Sequence, residues 1–370
     1  MTTVSDADIE VREGTYGEKV IAVEPGGAEF IPLKERHGRP LQLFWTWSSP
    51  NMEFATIFVG VLAIAAFGLS FWQSVLAIVL GSALGGIAQG ILSMKGPQYG
   101  VPQMVLSRLG FGYWGNILPA GLNSLTAGIG WFAVNSVSGA LALNTLTHMP
   151  QVLCLLIIVV LQIVVAFLGY NLIHVFERYA FPVLAIIFLI ASGVVLSKAH
   201  PNAPHQTIPG AFLITFGATF GYAVGWNPYA SDYTRYFKPD TNKLAIALWS
   251  GLHNAGSKYE DFLLIIAYWI APWLAVVFCD QFLRRHQNPD EIERLLFNRK
   301  YANWAGPVAM AVGMGISIWL FSNQTEYVGL VPTHVGSAGD LTFEVGFVLS
   351  AVIYLTWRVA ANRGNTGRLP

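Results

Sequence analysis

Long apolar stretches without charge dominate the chain. No charged residue falls between Phe54 and Met94 or between Leu109 and Thr147. A membrane-spanning helix needs about 20 predominantly apolar residues, so each stretch is long enough for at least one crossing. A transmembrane barrel would instead show alternating segments of about ten residues. The pattern therefore predicts an all-α polytopic membrane protein.

The ends of the apolar stretches predict nine membrane spans. They are residues 41–67, 71–94, 113–146, 152–169, 179–197, 209–230, 261–279, 304–321 and 341–360. We expect an amphipathic elbow at 104–111, just before the third span. The chain then divides into an N-terminal tail at 1–40, a transmembrane domain at 41–361 and a C-terminal tail at 362–370.

The composition agrees with a membrane protein and narrows its class. Of the 370 residues, 54% are hydrophobic and 11% are charged, with a net charge of zero, whereas soluble proteins carry about 25% charged residues. Zero net charge without a basic block argues against a nucleic-acid partner. The two cysteines, Cys154 and Cys279, lie in apolar stretches and indicate neither a disulfide framework nor a metal site.

Lysine and arginine residues predict the orientation of the spans, because cytoplasmic loops are enriched in them. A cytoplasmic N-terminus places nine of the ten Lys and Arg residues between positions 34 and 243 on the cytoplasmic side, and leaves only Lys198 outside. The polar N-terminus has no signal-peptide pattern. We therefore expect a multi-pass plasma-membrane protein with both termini in the cytoplasm.

One crossing is hard to place. The sixth span ends on the cytoplasmic side near Arg235, and the span at 261–279 must end there too, beside Arg284. Only Leu244–Leu252 could cross between them, and nine residues cover less than half of the hydrocarbon core. Either this segment crosses with its polar flanks drawn into the membrane, or sequence that normally lies there is missing. We favour missing sequence, with a junction near 252–256.

The first span carries the marks of a broken helix. Ser48, Ser49, Pro50 and Asn51 follow one another about a third of the way into it. A proline lacks the backbone N–H and clashes with the preceding turn, which frees carbonyls to bind an ion or a polar group. Glu53 lies just beyond, and a carboxylate inside a membrane is a functional candidate by default. The alternative is that the span begins later and Glu53 is interfacial.

The sixth span has a similar interruption. Gly217, Gly221 and Gly225 are spaced four residues apart, which permits close helix packing. Pro228 then ends or kinks the helix beside Trp226 and an amide. An aromatic ring and polar edges are what a planar, hydrogen-bonding ligand would use.

The third span places an aromatic ring and an amide on one helix face. Trp131 and Asn135 are one helical turn apart. Simple packing of Trp131 against other helices is the alternative to a role in ligand binding. The sequence shows no nucleophile–base pair, phosphate loop or membrane-protease motif, so we do not expect an enzyme.

Four sequence blocks, in order, resemble nucleobase–cation symporter family 1, and more narrowly its purine-cytosine permease branch. The resemblance covers about residues 40–300. The blocks are KGPQYGVPQMVLSRLGFGYWGN, GWFAVNSVSGALAL, GWNPYASDYTRYF and YEDFLLIIAYWIAPW.

This resemblance implies a leucine-transporter-like fold. Members of the family have twelve spans, of which the first ten form two inverted repeats with broken first and sixth helices. Substrate is held by spans one, three, six and eight, and the coupling ion by spans one and eight. In this chain most of spans seven to nine are absent by the same comparison, so the second repeat is incomplete.

The resemblance also assigns residues. Trp131 takes the place of the family's stacking tryptophan, and Ala223 stands where some relatives have an aromatic residue, so that Tyr222 or Trp226 would stack from that side. The candidate substrate-binding residues are Trp131, Asn135, Gly128, Tyr222, Ala223, Gly225, Trp226 and Phe54. The candidate ion-coupling residues are Asn51 and Glu53.

The expected function is that of a secondary active transporter. It would import a nucleobase, a cytosine- or purine-type heterocycle, by alternating access coupled to protons or sodium ions. Apart from the coupling ion we expect no cofactor. The expected partners are the nucleobase and the lipid bilayer, without nucleic acid, and the oligomeric state stays open. The alternative is a truncated permease remnant that inserts into the membrane without transporting.

Overall fold

A computed structural model describes residues 11–12, 16–52, 60–251 and 260–364, which are mainly helical. The first half contains α1 Gln42–Ser48, α2 Phe71–Ser93, α3 Gly96–Tyr99, α4 Gln103–Leu106, α5 Arg108–Phe111, α6 Ile117–Leu125, α7 Phe132–Thr147, α8 Gln151–Leu168 and α9 Tyr170–Ser197. The second half contains α10 Ala211–Val224, α11 Ala230–Thr234, α12 Lys243–Gly251, α13 Glu260–Leu283, α14 Pro289–Phe297, α15 Ala305–Phe321, α16 Leu330–His334 and α17 Thr342–Gly364.

The predicted spans correspond to helices of the structure. Six helical stretches among the described residues are long and apolar enough to cross a membrane, and α15 is a slightly shorter apolar helix. The predicted first and sixth spans are the ones that a proline interrupts. The span predicted at 179–197 begins earlier, at Tyr170, directly after Gly169. The expected elbow at 104–111 is the pair of short helices α4 and α5.

Both predicted helix breaks are present. α1 tightens into a 3-10 turn at Ser49–Asn51, where Pro50 cannot donate to the preceding turn. α10 ends at Val224, and a 3-10 turn at Asn227–Tyr229 separates it from α11. Residues 53–59, which include the candidates Glu53 and Phe54, lie outside the described residues. The broken first and sixth helices are therefore confirmed.

A π-helical segment interrupts the third span, which the sequence did not predict. It covers Thr126–Trp131, between α6 and α7. Such segments add a residue to a turn and are frequent at functional sites. Here the segment ends on Trp131, so it sets the direction in which the candidate stacking ring points.

The packing of the long helices follows the inverted repeat that the resemblance implies. In the first half α1 lies against α9, and in the second half α10 lies against α13. These are the first and fifth helices of the two repeats. The second helices, α2 and α12, pack against each other. Equivalent helices thus make equivalent contacts in the two halves.

Close approach of α10 to its neighbours depends on small residues. A Cβ atom at Gly81 would lie 2.7 Å from the carbonyl oxygen of Phe216, and one at Gly221 would collide with the carbonyl oxygen of Leu263. α13 is in turn buried between α10, α15 and α17, with Leu274 and its neighbours almost fully covered. The apolar stretch predicted at 261–279 is therefore a core helix of the bundle.

α12 is described as far as Gly251, the last residue before the gap at 252–259. Its nine described residues make a helical segment roughly 14 Å long. It packs along α2, where a Cβ atom at Gly90 would lie 2.7 Å from the carbonyl oxygen of Ala247, and Gly251 lies beside Gly86 of α2. Residues 252–259, which contain the expected junction at 252–256, lie outside the described residues. The proposed deletion therefore stays a prediction.

Lysine and arginine residues lie together at one end of the bundle, which we call the basic end; they include Lys95, Arg108, Arg235 and Arg284. The elbow is hydrogen-bonded to two other segments at this end. The N–H of Gln103 donates to Asp232 Oδ1 on α11 (2.8 Å), and Arg284 Nη2, just after α13, donates to the carbonyl of Leu109 (3.4 Å). The chain segments around Arg235 and Arg284 therefore lie at the same end, as the charge pattern predicted. The chain between them must leave this end and return.

The N-terminal segment, residues 16–40, packs on the basic end. Arg235 pairs with Glu24 at 3.0 Å. The Tyr16 hydroxyl donates to the carbonyl of Leu168 and accepts the N–H of Asn171, both at 3.0 Å. The segment therefore ties the end of the broken sixth span to the α8–α9 turn.

A buried arginine holds the N-terminal segment to the elbow. The guanidinium of Arg36 donates to the carbonyls of Ile31 (3.0 Å) and Pro97 (2.6 Å). Burial lowers the pKa of Arg36 to about 10, and the carboxylate of Glu293 acts in the opposite direction. Gly100 has φ +63°, and a Cβ atom there would collide with the Arg36 side chain. The position therefore needs glycine for both conformation and space.

We predict that Gly221→Ala lowers the free energy of unfolding by about 1–3 kcal/mol, because the added methyl group must push α13 away from α10. Thermal unfolding in detergent measures the change. The matched control is Gly193→Ala on α9, where the methyl group would have no neighbour within 4 Å among the described residues and should leave stability unchanged or raise it by up to about 1 kcal/mol. Equal effects of the two substitutions would contradict the tight packing of α10 on α13.

Candidate functional site

A cavity of about 980 Å³ lies where the two helix breaks face the third span. This volume lies in the upper part of the range that small-molecule sites occupy. Its walls come from the first, third, fifth and sixth spans. The lining residues include Pro50, Met52, Trp131, Asn135, Ser138, Phe188, Tyr222, Gly225, Trp226, Tyr229 and Tyr233.

A hydrogen bond joins the two broken helices at the edge of this cavity. The Tyr222 hydroxyl, at the end of α10, donates to Asn51 Oδ1 in the break of the first span. The Asn51 amide in turn donates to the carbonyl of Trp47 on α1. Tyr222 and Asn51 are both buried. The position of one break therefore depends on the position of the other.

Trp131 brings the third span into the same arrangement. Its ring meets the ring of Tyr222 edge to face, with centroids 5.9 Å apart and planes at 81°. A Cβ atom on Gly225 would lie 3.4 Å from the Trp131 ring, so glycine leaves room for the indole. The rings of Trp131 and Tyr222 thus meet at one edge of the cavity, and we call this pair the aromatic corner.

Further aromatic side chains lie toward the basic end. Trp47 contacts Trp226 and Tyr233 edge to face, with centroid distances of 5.6 and 5.0 Å. Trp226 and Tyr233 also line the cavity. These rings belong to one apolar cluster with Tyr16 and Ile31 of the N-terminal segment.

Several buried polar groups of the lining have no protein partner among the described residues. They include Trp226 Nε1 and Ser138 Oγ. A buried polar group without a hydrogen bond is costly. An indole N–H can only donate, whereas a hydroxyl can donate and accept. The cavity therefore offers both hydrogen-bond roles beside its aromatic walls.

The structure brings together most of the candidates that the sequence singled out. Trp131, Asn135, Tyr222, Gly225 and Trp226 all line the cavity. Asn51 lies directly behind Tyr222.

Two candidates lie elsewhere. Ala223 is fully buried against α2, where a Cβ atom at Gly85 would collide with it. Gly128 lies in the π-helical segment and is not among the lining residues. A Cβ atom at Gly128 would have no neighbour within 4 Å among the described residues.

Sequence reasoning missed several lining residues. Tyr233 lies beyond the predicted end of the sixth span, and Ser138 lies one turn after Asn135 on the third span. The spacing of Trp131, Asn135 and Ser138 is a helical signal that would have found Ser138. Nothing local marks Tyr233, because it reaches the cavity only through the bend after Pro228.

Comparison with protein families gives one match that covers most of the chain. Residues 30–250 match the model of the family described as permeases for cytosine/purines, uracil, thiamine and allantoin. The match ends one residue before Gly251, the last described residue before the gap at 252–259.

Curated relatives agree with this family. A purine-cytosine permease of Emericella nidulans is 31% identical over 67% of this chain and 52% of its own length. A purine-cytosine permease of Saccharomyces cerevisiae is 34% identical over 54% of this chain and 39% of its own length. The chain thus spans about half the length, or less, of the curated relatives it matches.

A solved structure has the same fold. It is Mhp1, a nucleobase-cation-symport-1 family transporter in a closed conformation with bromovinylhydantoin bound. The similarity has a TM-score of 0.62 at 17% identity and covers 92% of this chain and 96% of the other. At this identity the comparison shows the fold.

We predict that the hydrogen bond between Tyr222 and Asn51 couples the two residues energetically. A double-mutant cycle with Tyr222→Phe and Asn51→Ala should give a coupling energy of at least about 0.5 kcal/mol in thermal unfolding, as contacting residues do. Tyr327→Phe is the control, since the Tyr327 hydroxyl makes an exposed bond to the carbonyl of Trp319 and should not couple to Asn51→Ala. Additive effects of Tyr222→Phe and Asn51→Ala would show that the bond does not join the breaks.

Proposed function

The chain belongs to the family of permeases for cytosine, purines, uracil, thiamine and allantoin, and we propose that it imports a nucleobase as a secondary active transporter. The observation that carries the proposal is the aromatic corner of Trp131 and Tyr222, placed at the meeting point of two broken helices. Transporters of this architecture bind substrate where discontinuous helices meet at the middle of the membrane.

The chemistry of the cavity favours a flat, polar heterocycle. Aromatic walls allow a ring to stack, and Trp226 Nε1 and Ser138 Oγ offer hydrogen bonds to its edge. The relatives with matching sequence are named purine-cytosine permeases. We therefore propose a cytosine- or purine-type base as the substrate, held by Trp131 with Tyr222, Asn135 and Trp226.

We propose that transport is coupled to protons or sodium ions through the break in the first span. A half-helix end with freed carbonyls can hold a cation, and the turn at Ser49–Asn51 is such an end. Asn51 is the candidate that connects this end to the substrate through Tyr222. Glu53 and Phe54, which lie outside the described residues, remain candidates from the sequence alone.

The basic end is proposed to face the cytoplasm. The charge excess at this end includes Lys95, Arg108, Arg235 and Arg284, and cytoplasmic loops carry such an excess. Both termini of the chain would then lie in the cytoplasm of a cell with the protein in its plasma membrane. Lys198, at the far end of α9, would face outward.

The second candidate function is that of a remnant that inserts without transporting. One observation favours it: the family match stops at residue 250, although the chain continues to residue 370. In this case the cavity would form and bind ligand, but alternating access would fail. Binding and uptake therefore have to be measured separately.

We predict that permease-deficient cells expressing this chain take up labelled cytosine, adenine or hypoxanthine when a proton or sodium gradient is present. The comparison is a version of the chain that carries the missing spans. Equal uptake by both versions supports the transporter. Binding by purified protein without gradient-dependent uptake supports the remnant, and the absence of both rejects a nucleobase site.

We predict that Trp131→Ala weakens binding of the preferred base by roughly 1–3 kcal/mol, since stacking on an aromatic side chain contributes about this much per base. Trp131→Phe should retain most of the affinity. The matched control is Trp72→Ala, because Trp72 is 63% exposed on the outer surface of α2. Binding to detergent-solubilised protein measures all three variants. An unchanged affinity in Trp131→Ala would assign this ring to packing alone.

A further inference from the structure

A carboxylate on the fifth span touches the break in the first span. Glu177 lies on α9, which packs against the turn at Ser49–Asn51, and its carboxylate lies within hydrogen-bonding reach of the Ser49 side chain. Its second oxygen, Oε2, is buried and has no hydrogen-bond partner among the described residues. Glu177 is not among the lining residues of the cavity, so it is separate from the candidate substrate site.

No cation neutralises this carboxylate in the described part of the chain. The ion pairs found there do not include Glu177. Arg178 is the next residue, but its guanidinium lies over the Trp45 ring, 6.0 Å from the centroid. Burying a charged carboxylate without a cation costs much free energy. A proton removes this cost without requiring another residue.

The titratable groups near Glu177 are a histidine and a tyrosine. His174, one turn earlier, has its Nδ1 2.9 Å from Thr46 Oγ1, its buried Nε2 has no partner among the described residues, and it interacts electrostatically with His37. Tyr233, from the region of α11, is close enough to interact electrostatically with Glu177. The helices α1 and α8, which pack on α9, contain no Asp, Glu, Lys, Arg or His.

The contact of Glu177 leads directly to the substrate site. Ser49 opens the 3-10 turn that ends at Asn51, and Asn51 accepts the hydrogen bond of Tyr222. Tyr222 contacts Trp131 across the cavity. An ionised Glu177 can only accept from Ser49, whereas a protonated one can also donate. The protonation state of Glu177 therefore changes the hydrogen bonding of the break itself.

We propose that Glu177 binds the coupling proton and that the turn at Ser49–Asn51 transmits its protonation to the substrate site. The proposal rests on the proposed function and makes the coupling ion a proton. The proton enters from water on one side of the membrane and leaves on the other, with no bond other than O–H formed or broken. Glu177 acts on the substrate through Ser49, Asn51 and Tyr222, so it is a positioning residue.

The test is the pH dependence of cytosine binding to the full chain in lipid nanodiscs. In the unmodified protein, affinity should rise at least fivefold as the pH falls, which is the lower range of coupling between two sites. Glu177→Gln, which resembles the protonated form, should bind tightly and equally at all pH values. Glu177→Asp, which keeps a carboxylate, should again bind cytosine more tightly as the pH falls.

The matched control is Glu344→Gln. Glu344 lies on α17 and also has a buried Oε2 without a partner among the described residues, so its substitution should leave the pH profile unchanged. Binding by the unmodified protein with no pH dependence overturns the proposal. So does a Glu177→Gln variant that keeps the original profile.

A second measurement separates this proposal from the proposed function. Infrared spectroscopy detects the carbonyl band of a neutral carboxyl group, and Glu177→Gln should remove a titrating band that Glu344→Gln retains. Loss of this band with no cytosine, adenine or hypoxanthine bound would reject the nucleobase function but keep the proton site. A band that persists at full amplitude in Glu177→Gln overturns the proton site whether or not substrate binds.

Discussion

The hydrogen bond between Tyr222 and Asn51 is the contact on which the site depends. Each residue belongs to a helix that a proline interrupts, Pro50 in one case and Pro228 in the other. In a membrane, interrupted backbone is tolerated only where protein or a cavity surrounds it. The two breaks therefore stabilise each other, and the cavity beside Trp131 follows from that mutual dependence.

Close packing around α10 makes this meeting of helices possible. Gly81, Gly85 and Gly221 let α2 and α13 approach the α10 backbone, which positions Tyr222 toward the first span. Association of membrane helices relies on such contacts because lipid offers no hydrophobic driving force between them. The basic end is held differently, by polar contacts such as the pair between Arg235 and Glu24. The cavity thus lies between helices that pack closely at glycine residues and the polar contacts of the basic end.

The sequence predicted the spans and both breaks, because apolar length and proline chemistry are local properties. It could not assign the face of each residue: Ala223 follows Tyr222 by about 100° of helical rotation, and only tertiary packing turns one toward α2 and the other toward the cavity. The contact of Glu177 with Ser49 joins residues far apart in the chain, and no pattern signals it. The π-helical segment at Thr126–Trp131 contains no proline, so no local sequence signal predicts it.

The central claim is that a flat heterocycle binds between Trp131 and Tyr222, where the two breaks meet. The most direct measurement is a diffraction experiment on this chain with 5-bromocytosine, using the anomalous signal of the bromine to locate the base. We expect a single bromine peak inside the cavity, with the base lying against the Trp131 ring. A peak elsewhere in the bundle, or no peak at saturating ligand, would contradict it.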